Sequence, residues 1–117
     1  MTEGGQPQRR RVLLDENLHR KLVAELPECD ATTVEAAGWK GILNGELLRR
    51  VGEAGFHVFL TGDRNLEYQQ RIAGRTFGVV VIVSHRLTLS RLQALAPAIQ
   101  AAVASVQPGE VLHVTGP

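Results

Sequence analysis

The sequence has a single cysteine, Cys29, among its 117 residues. One cysteine excludes an internal disulfide and leaves no cysteine cluster for a zinc site. Aromatic residues make up only 4% of the chain, so Val, Leu, Ile and Ala must build most of the core. No segment approaches the roughly 20 apolar residues that cross a bilayer, and residues 1–7 lack the apolar stretch of a signal peptide. These absences favour a cytoplasmic protein without a membrane partner.

Net charge is also low, at a formal +1, and therefore indicates no nucleic-acid partner by itself. A basic run, Arg9, Arg10 and Arg11, precedes the first predicted strand. Arginine side chains suit phosphate groups, but we favour the interpretation that this run is solvated surface. The sequence contains no Gly-x-Gly-x-x-Gly motif and no Walker loop, which argues against a dinucleotide or nucleoside-triphosphate enzyme.

What the sequence does contain is a regular alternation of strand and helix patterns. Strands are predicted at 11–15, 31–35, 57–61, 77–84 and 110–114, and helices at 18–26, 43–55, 65–73 and 90–105. The alternation predicts an α/β fold, a single-domain three-layer parallel sheet of about five strands with helices on both faces. This domain covers 11–117, and residues 1–10 are predicted to be a flexible polar segment. The apolar run at 77–84 predicts a strand buried on both faces.

Acidic side chains stand where the chain leaves this predicted sheet. Asp15 follows the first strand, Asp63 follows the third, and Glu46 falls in the first turn of the second helix. Crossover connections bring the carboxyl ends of parallel strands to one edge, where ligands bind. Two such carboxylates would lie about 5–10 Å apart, given about 4.8 Å between strands. Taken singly, Asp15 and Asp63 are also ordinary helix caps, and Glu46 also suits the helix dipole or a pair with Arg50.

Several neighbouring residues are candidate substrate contacts. Arg64 and Asn65 follow Asp63, and Arg86 follows the fourth strand; these three are the candidate substrate-binding residues, although we favour a solvated loop for Arg86. Trp39 lies in a glycine-flanked loop before the second helix. It could stack on a base or cover the edge of the core, and we favour the second interpretation.

Three motifs resemble the PIN-like proteins related to VapC-type toxins. They are Leu13-Leu-Asp-Glu-Asn-Leu18, Gly45-Glu46-Leu-Leu and Leu60-Thr-Gly-Asp-Arg-Asn65, and the resemblance extends from about Arg11 to Val106. It implies a PIN-like fold in which Asp15, Glu46 and Asp63 are catalytic ligands of Mg²⁺ or Mn²⁺. It also implies that Thr61 helps to orient the site. Asn65 stands where many relatives have another Asp, which leaves a weakened or single-metal site open.

The resemblance implies a metal-dependent ribonuclease, the toxin of a toxin–antitoxin pair. Mg²⁺ prefers oxygen ligands and keeps several waters, and a metal ion can activate water and offset the charge that develops during phosphodiester hydrolysis. The alternative is a catalytically weakened PIN-like module that binds RNA or a protein partner. RNA is the expected partner, while an antitoxin protein and a homodimer are left open.

Overall fold

The structure, a computed structural model, describes residues 9–116. Its strands are β1 (Arg11–Leu14), β2 (Asp30–Thr33), β3 (Val58–Thr61), β4 (Gly78–Val83) and β5 (Val111–Thr115), and its helices are α1 (Asn44–Glu53), α2 (Leu66–Gln69) and α3 (Leu89–Ser105), with a 3₁₀ helix at Arg20–Glu25 between β1 and β2. No helix within the described range is long and apolar enough to cross a membrane.

The five strands form one parallel sheet in the order β2-β1-β3-β4-β5. The prediction of a five-stranded α/β sheet is therefore confirmed. β4, the strand with the longest apolar run, is an interior strand in which five of six residues are buried, and β3 occupies the middle of the sheet. All five strands run in one direction, so their carboxyl ends meet at one edge.

Helices cover both faces of the sheet, which makes three layers. On one face the 3₁₀ helix and α3 pack against the sheet through Leu22, Leu92 and Ile99. On the other face α1 and α2 contribute Leu47 and Leu66 to a second cluster. Alternate strand residues supply the two clusters, because successive side chains of a strand point to opposite faces.

The last crossover differs in hand from the first. The connection from β1 to β2 and the connection from β4 to β5 step in opposite directions across the sheet, yet the 3₁₀ helix and α3 lie on the same face. The handedness of a crossover depends on the direction in which it moves along the sheet and on the face that its helix covers. Two crossovers that move in opposite directions and have their helices on the same face therefore have opposite handedness. As a consequence, β5 carries α3 on one face, and on its other face Val111 packs against the second cluster and His113 contacts Glu67 of α2.

Two predicted helices are shorter than the sequence pattern suggests. The predicted helix at 18–26 is a 3₁₀ helix at Arg20–Glu25, and it ends there because Pro27 disfavours α conformation at Leu26, whose backbone is at φ −123° and ψ 59°. The predicted helix at 65–73 ends at Gln69, since Gln70 is extended and the chain then carries Ile72 into the core. Gly55 ends α1 as predicted, with a φ of +79°.

The basic run holds the amino-terminal end of the sheet together. Arg10 donates to the carbonyls of Val103 and Val106 at the end of α3, at 2.9 and 2.6 Å. Arg11 donates to the carbonyl of Ala54 at the end of α1, at 2.6 Å, and its guanidinium lies 4.5 Å from the ring centre of Phe56.

Arg9 likewise donates to the carbonyls of Pro27 and Cys29. The three arginines therefore satisfy carbonyls at the ends of three different segments, where helix C-termini favour cations. This role differs from both interpretations of the run as solvated surface or phosphate site. Arg9 and Arg10 fall within the segment predicted to be flexible, and its residues 1–8 lie outside the described residues.

Candidate functional site

The side chain of Asp15 and the backbone N–H of Asp63 meet at the hydroxyl of Thr61, at the carboxyl edge of the sheet. Thr61 Oγ1 donates to Asp15 Oδ2 at 2.7 Å and accepts from the backbone N–H of Asp63 at 3.0 Å. Thr61 is fully buried and is the last residue of β3, so this hydroxyl is held in place by the sheet. The sheet thus brings together two of the three predicted acids.

Backbone bonds explain why the two acids meet. The N–H of Asp15 donates to the carbonyl of Leu60 at 2.9 Å, which continues the pairing of β1 with β3 beyond the end of β1. Asp15 therefore lies beside Thr61, at the point where two neighbouring strands end. The N–H of Glu16 donates to Asp15 Oδ1 at 2.8 Å, and the N–H of Asn65 donates to Asp63 Oδ1 at 2.9 Å.

Asn17 is a site residue to which the sequence assigned no role. Its Oδ1 accepts from the N–H of Gly62 at 3.0 Å, and its Nδ2 lies 3.4 Å from Thr61 Oγ1 and 3.5 Å from Asp15 Oδ2. Asn17 therefore links the loop after β1 to the loop after β3. Its position in the Asp-Glu-Asn motif was the available signal, because a polar residue two places after a strand-end carboxylate can reach the neighbouring loop.

The electrostatics of the pair favour a cation. Burial raises the pKa of the Asp15 carboxyl above its ordinary value, the hydrogen bonds from Thr61 and from the Glu16 N–H oppose this rise, and the charge of Asp63 adds to it. No lysine or arginine in residues 9–116 forms a salt bridge with either carboxylate. A metal ion would relieve the repulsion between the two acids.

Glu46 has a different environment. It lies in the first turn of α1, as predicted, and its carboxylate accepts from Arg49 Nε at 2.9 Å and from Arg50 Nε at 3.0 Å. These two guanidinium groups hold the pKa of Glu46 at about 2. Glu46 is not among the charges that act on Asp15. Its role as a metal ligand stays a prediction.

The predicted substrate contacts are exposed. Arg64, Asn65 and Arg86 all lie on the surface, and neither arginine side chain forms a hydrogen bond or ion pair with the described residues. The side chain of Asn65 makes no capping hydrogen bond at the start of α2. Trp39 contacts Phe56 edge to face, with ring centres 6.0 Å apart, and packs against the core, in agreement with the favoured interpretation.

Two cavities lie near the acid pair: Asp15 lines one, and Arg64 and Asn65, which follow Asp63, line the other. The β1–β2 cavity, of about 320 Å³, is lined by Asp15, Glu16, Leu18, His19, Arg20, Thr33, Val34, Glu35 and Lys40. The α2–β5 cleft, of about 430 Å³, is lined by Arg64, Asn65, Glu67, Tyr68, Val83 and His113. The cleft residues Tyr68, Glu67 and His113 had no predicted role, because only the folded chain brings α2 beside β5.

The oxygen donors of the pair fit a hard divalent cation. Mg²⁺ is commonly held by one or two carboxylates, with waters and substrate phosphate completing its ligands. Asp63 uses Oδ1 for the Asn65 N–H, and its Oδ2 accepts no hydrogen bond from residues 9–116, so this oxygen can act as a ligand. No set of three His, Cys, Asp or Glu side chains in that range is arranged as a metal-binding group, so the fit rests on two acids.

No protein-family model matches the chain, and no curated protein or solved structure matches it significantly.

Proposed function

We propose that this protein is a metal-dependent ribonuclease whose site is the Asp15–Asp63 pair. The observation that supports the proposal best is the Thr61 hydroxyl, which donates to the Asp15 carboxylate and accepts from the backbone N–H of Asp63, so that the two acidic residues lie close enough at the carboxyl edge of a parallel sheet for the charge of Asp63 to act on Asp15. That edge is where α/β proteins bind ligands, and the pair has no arginine or lysine partner in the described part of the chain.

In this proposal Asp15 and Asp63 hold Mg²⁺ or Mn²⁺. Such an ion, when held there, would supply activation of a water molecule and positive charge against the scissile phosphate. Thr61 keeps Asp15 in one orientation through its donated hydrogen bond.

The residues around the pair have supporting roles. Asn17 keeps the two loops in register through its bond to Gly62. Arg64 and Arg86, whose side chains have no partner among residues 9–116, neutralise neighbouring phosphates of the RNA. Glu46 contributes less, because Arg49 and Arg50 already neutralise it.

The proposed biological role, the toxin of a toxin–antitoxin pair that acts in the cytoplasm, is supported by the resemblance of three motifs. Coexpression with a protein encoded next to this chain tests it, because an antitoxin should relieve growth arrest and copurify. The alternative, a weakened module that binds RNA or a protein partner, has support from Asn65 at a position where the resemblance expects an acid.

The decisive experiment is a Mn²⁺ titration followed by thermal unfolding. Wild-type protein should gain stability by mass action, about 2.7 kcal/mol at a free metal concentration about 100 times the dissociation constant. Asp63→Asn should lose most of this gain while it keeps the fold, because Asn retains the oxygen that accepts from the Asn65 N–H. Glu28→Gln, which removes an exposed carboxylate at the opposite end of the sheet, should respond as wild type does.

The same proteins are then assayed for cleavage of single-stranded RNA. Wild type and Glu28→Gln should cleave with Mn²⁺ and stop in EDTA, and Asp63→Asn should lose at least about 100-fold in rate. An unchanged metal response in Asp63→Asn would refute the site. RNA binding by wild type without metal stabilisation or cleavage would establish the alternative instead.

A further inference from the structure

We propose that the α2–β5 cleft binds one nucleotide of single-stranded RNA, with its base stacked on Tyr68, beside the phosphate at the Asp15–Asp63 pair. This inference rests on the proposed function and deepens it, since it identifies where the substrate continues from the site. It also decides between the two cavities that lie near the pair.

The cleft exists because of the way the last two strands are connected. α3 covers β5 on one face of the sheet, and on the opposite face His113 of β5 meets Glu67 of α2. Leu112 and Val114 pack on the α3 face, and side chains alternate along a strand, so His113 points to the opposite face. α2 is a single short helix and leaves a gap of about 430 Å³ against β5.

Tyr68 is an unusual residue in this cleft. It is the only tyrosine in a chain with few aromatic residues, and 81% of its surface is exposed instead of packed in the core. Leu66 is fully buried and anchors α2 in the core, so the helix that carries the exposed Tyr68 is held in place. An aromatic ring held in solvent at the wall of a cleft is a stacking surface for a nucleic-acid base.

The lining of the cleft begins at the residue that follows Asp63. Arg64 and Asn65 line it and directly follow Asp63, and the N–H of Asn65 donates to Asp63 Oδ1 at 2.9 Å. A phosphate at the acid pair and a base in the cleft are therefore held by one short segment. Arg64 provides a cation for the backbone of the RNA, and it has no ion pair with any described residue.

The far wall of the cleft is formed by a polar contact between helix and strand. His113 Nε2 of β5 lies against Glu67 Oε2 of α2, and the Glu67 side chain is only 17% exposed. This contact fixes both side chains. It adds hydrogen-bonding groups to the lining of the cleft, which a base stacked on Tyr68 can use, and Val83 adds an apolar surface.

The β1–β2 cavity suits RNA less well. Besides Asp15 it contains Glu16 and Glu35, and these three carboxylates outnumber its cations Arg20 and Lys40. Lys40 is already paired with Glu35 at 3.6 Å. An excess of carboxylates repels a phosphate backbone, and the lining of this cavity contains no aromatic ring other than the imidazole of a histidine. The chain of an RNA substrate should therefore leave the acid pair towards α2 and β5.

The test measures binding of a short fluorescent RNA in EDTA, where cleavage cannot occur, by anisotropy. Tyr68→Ala should weaken binding by about 5- to 150-fold, the range for loss of one stacked base. Tyr68→Phe keeps the ring and should bind within about twofold of wild type. Leu43→Ala is the matched control, because Leu43 is 82% exposed and lies outside the cleft; it should also bind as wild type does.

Equal binding by Tyr68→Ala and wild type would overturn the inference, as would an equal loss in Leu43→Ala. A loss in Tyr68→Phe as large as in Tyr68→Ala would overturn stacking. The Mn²⁺ cleavage assay separates this result from the proposed function: if Tyr68→Ala cleaves with unchanged kcat and KM, the cleft proposal fails and the nuclease stands. If wild type neither binds nor cleaves RNA, the proposed function itself fails.

Discussion

The two ends of the sheet handle charge in opposite ways. At the amino-terminal end, three consecutive arginines donate to the carbonyls that end α1, α3 and the segment after the 3₁₀ helix. At the carboxyl end, the Asp15 carboxylate accepts from the Thr61 hydroxyl and the backbone N–H of Asp63 donates to it, and neither acid has a lysine or arginine partner among residues 9–116. Charges satisfied by the fold stabilise it, whereas charges without a partner remain available to a ligand. Substitutions at the two ends should therefore have different consequences.

The largest effect on stability should come from Arg10→Ala. It removes two charge-assisted hydrogen bonds to the end of α3, each of a kind worth about 1.5–3 kcal/mol before water replaces the lost donor. We expect a loss of about 2–3 kcal/mol in the free energy of unfolding, measured by urea denaturation. Arg86→Ala, which removes an arginine at the carboxyl end, should change stability by less than about 0.5 kcal/mol. Equal effects of the two variants would contradict the comparison.

Two glycines extend the comparison to packing. A Cβ at Gly78, at the start of β4, would lie 2.7 Å from the backbone carbonyl of Gln107. A Cβ at Gly62, beside the acid pair, would closely approach only the end of the Leu87 side chain. Gly78→Ala should therefore cost about 1–3 kcal/mol, and Gly62→Ala should cost less, because a leucine side chain can move more easily than a backbone carbonyl. Thermal melts of the two variants decide this, and a larger loss in Gly62→Ala would reverse the order.

Asp15→Asn should stabilise the metal-free protein at neutral pH. Because burial raises the pKa of Asp15, the folded state binds its proton more tightly than the unfolded state. The stabilisation that the bound proton gives the folded state is complete below the pKa of Asp15 in the unfolded state, about 4. It is lost as pH rises through the pKa of Asp15 in the folded state. Asn mimics the protonated acid, so its gain in melting temperature should appear as pH rises above about 4. Melts in EDTA across this range measure it, and a gain that grows as pH falls would be contrary to the expected sign.

The smallest effect should come from Asn65→Asp. The new carboxylate lies next to Asp63, so repulsion should lower the melting temperature slightly in EDTA, and added Mn²⁺ should reverse the loss and exceed the wild-type gain. Asn65 makes no side-chain cap to α2, so the exchange disturbs no hydrogen bond of the helix start. If the metal titration curves of Asn65→Asp and wild type are superimposable, residue 65 takes no part in the metal site.

Much of the fold was predictable because it depends on local patterns. The apolar run of β4, the buried face of α1 with Leu47 and Leu48, and the glycine that ends α1 each depend on a few consecutive residues. The meeting of Asp15 and Asp63 was also predictable, since parallel strands carry the residues that follow them to one edge. The short α2 was not, because tertiary packing of Ile72 ended the helix early.

The role of the arginine run could not be predicted, because Arg10 bonds to carbonyls 93 and 96 residues away. Before folding, nothing distinguishes such a run from a phosphate-binding surface. The interactions of Glu46, in contrast, are local, since its partners Arg49 and Arg50 lie three and four residues further along the same helix. Its pair with Arg50 was predictable, because side chains four residues apart meet on one face of a helix.

Periodicity and chain direction are properties of the sequence, and they were enough to specify the strand–helix alternation, the parallel sheet and the edge at which the acids gather. The strand order, the face on which α3 lies and the cleft between α2 and β5 became known only from the folded chain. The folded chain was also needed to tell the charged side chains that have partners within the protein from those that remain available to a ligand. The physical reason is that hydrogen bonds and cavities depend on distances between residues remote in the chain, and those distances exist only after the sheet has formed.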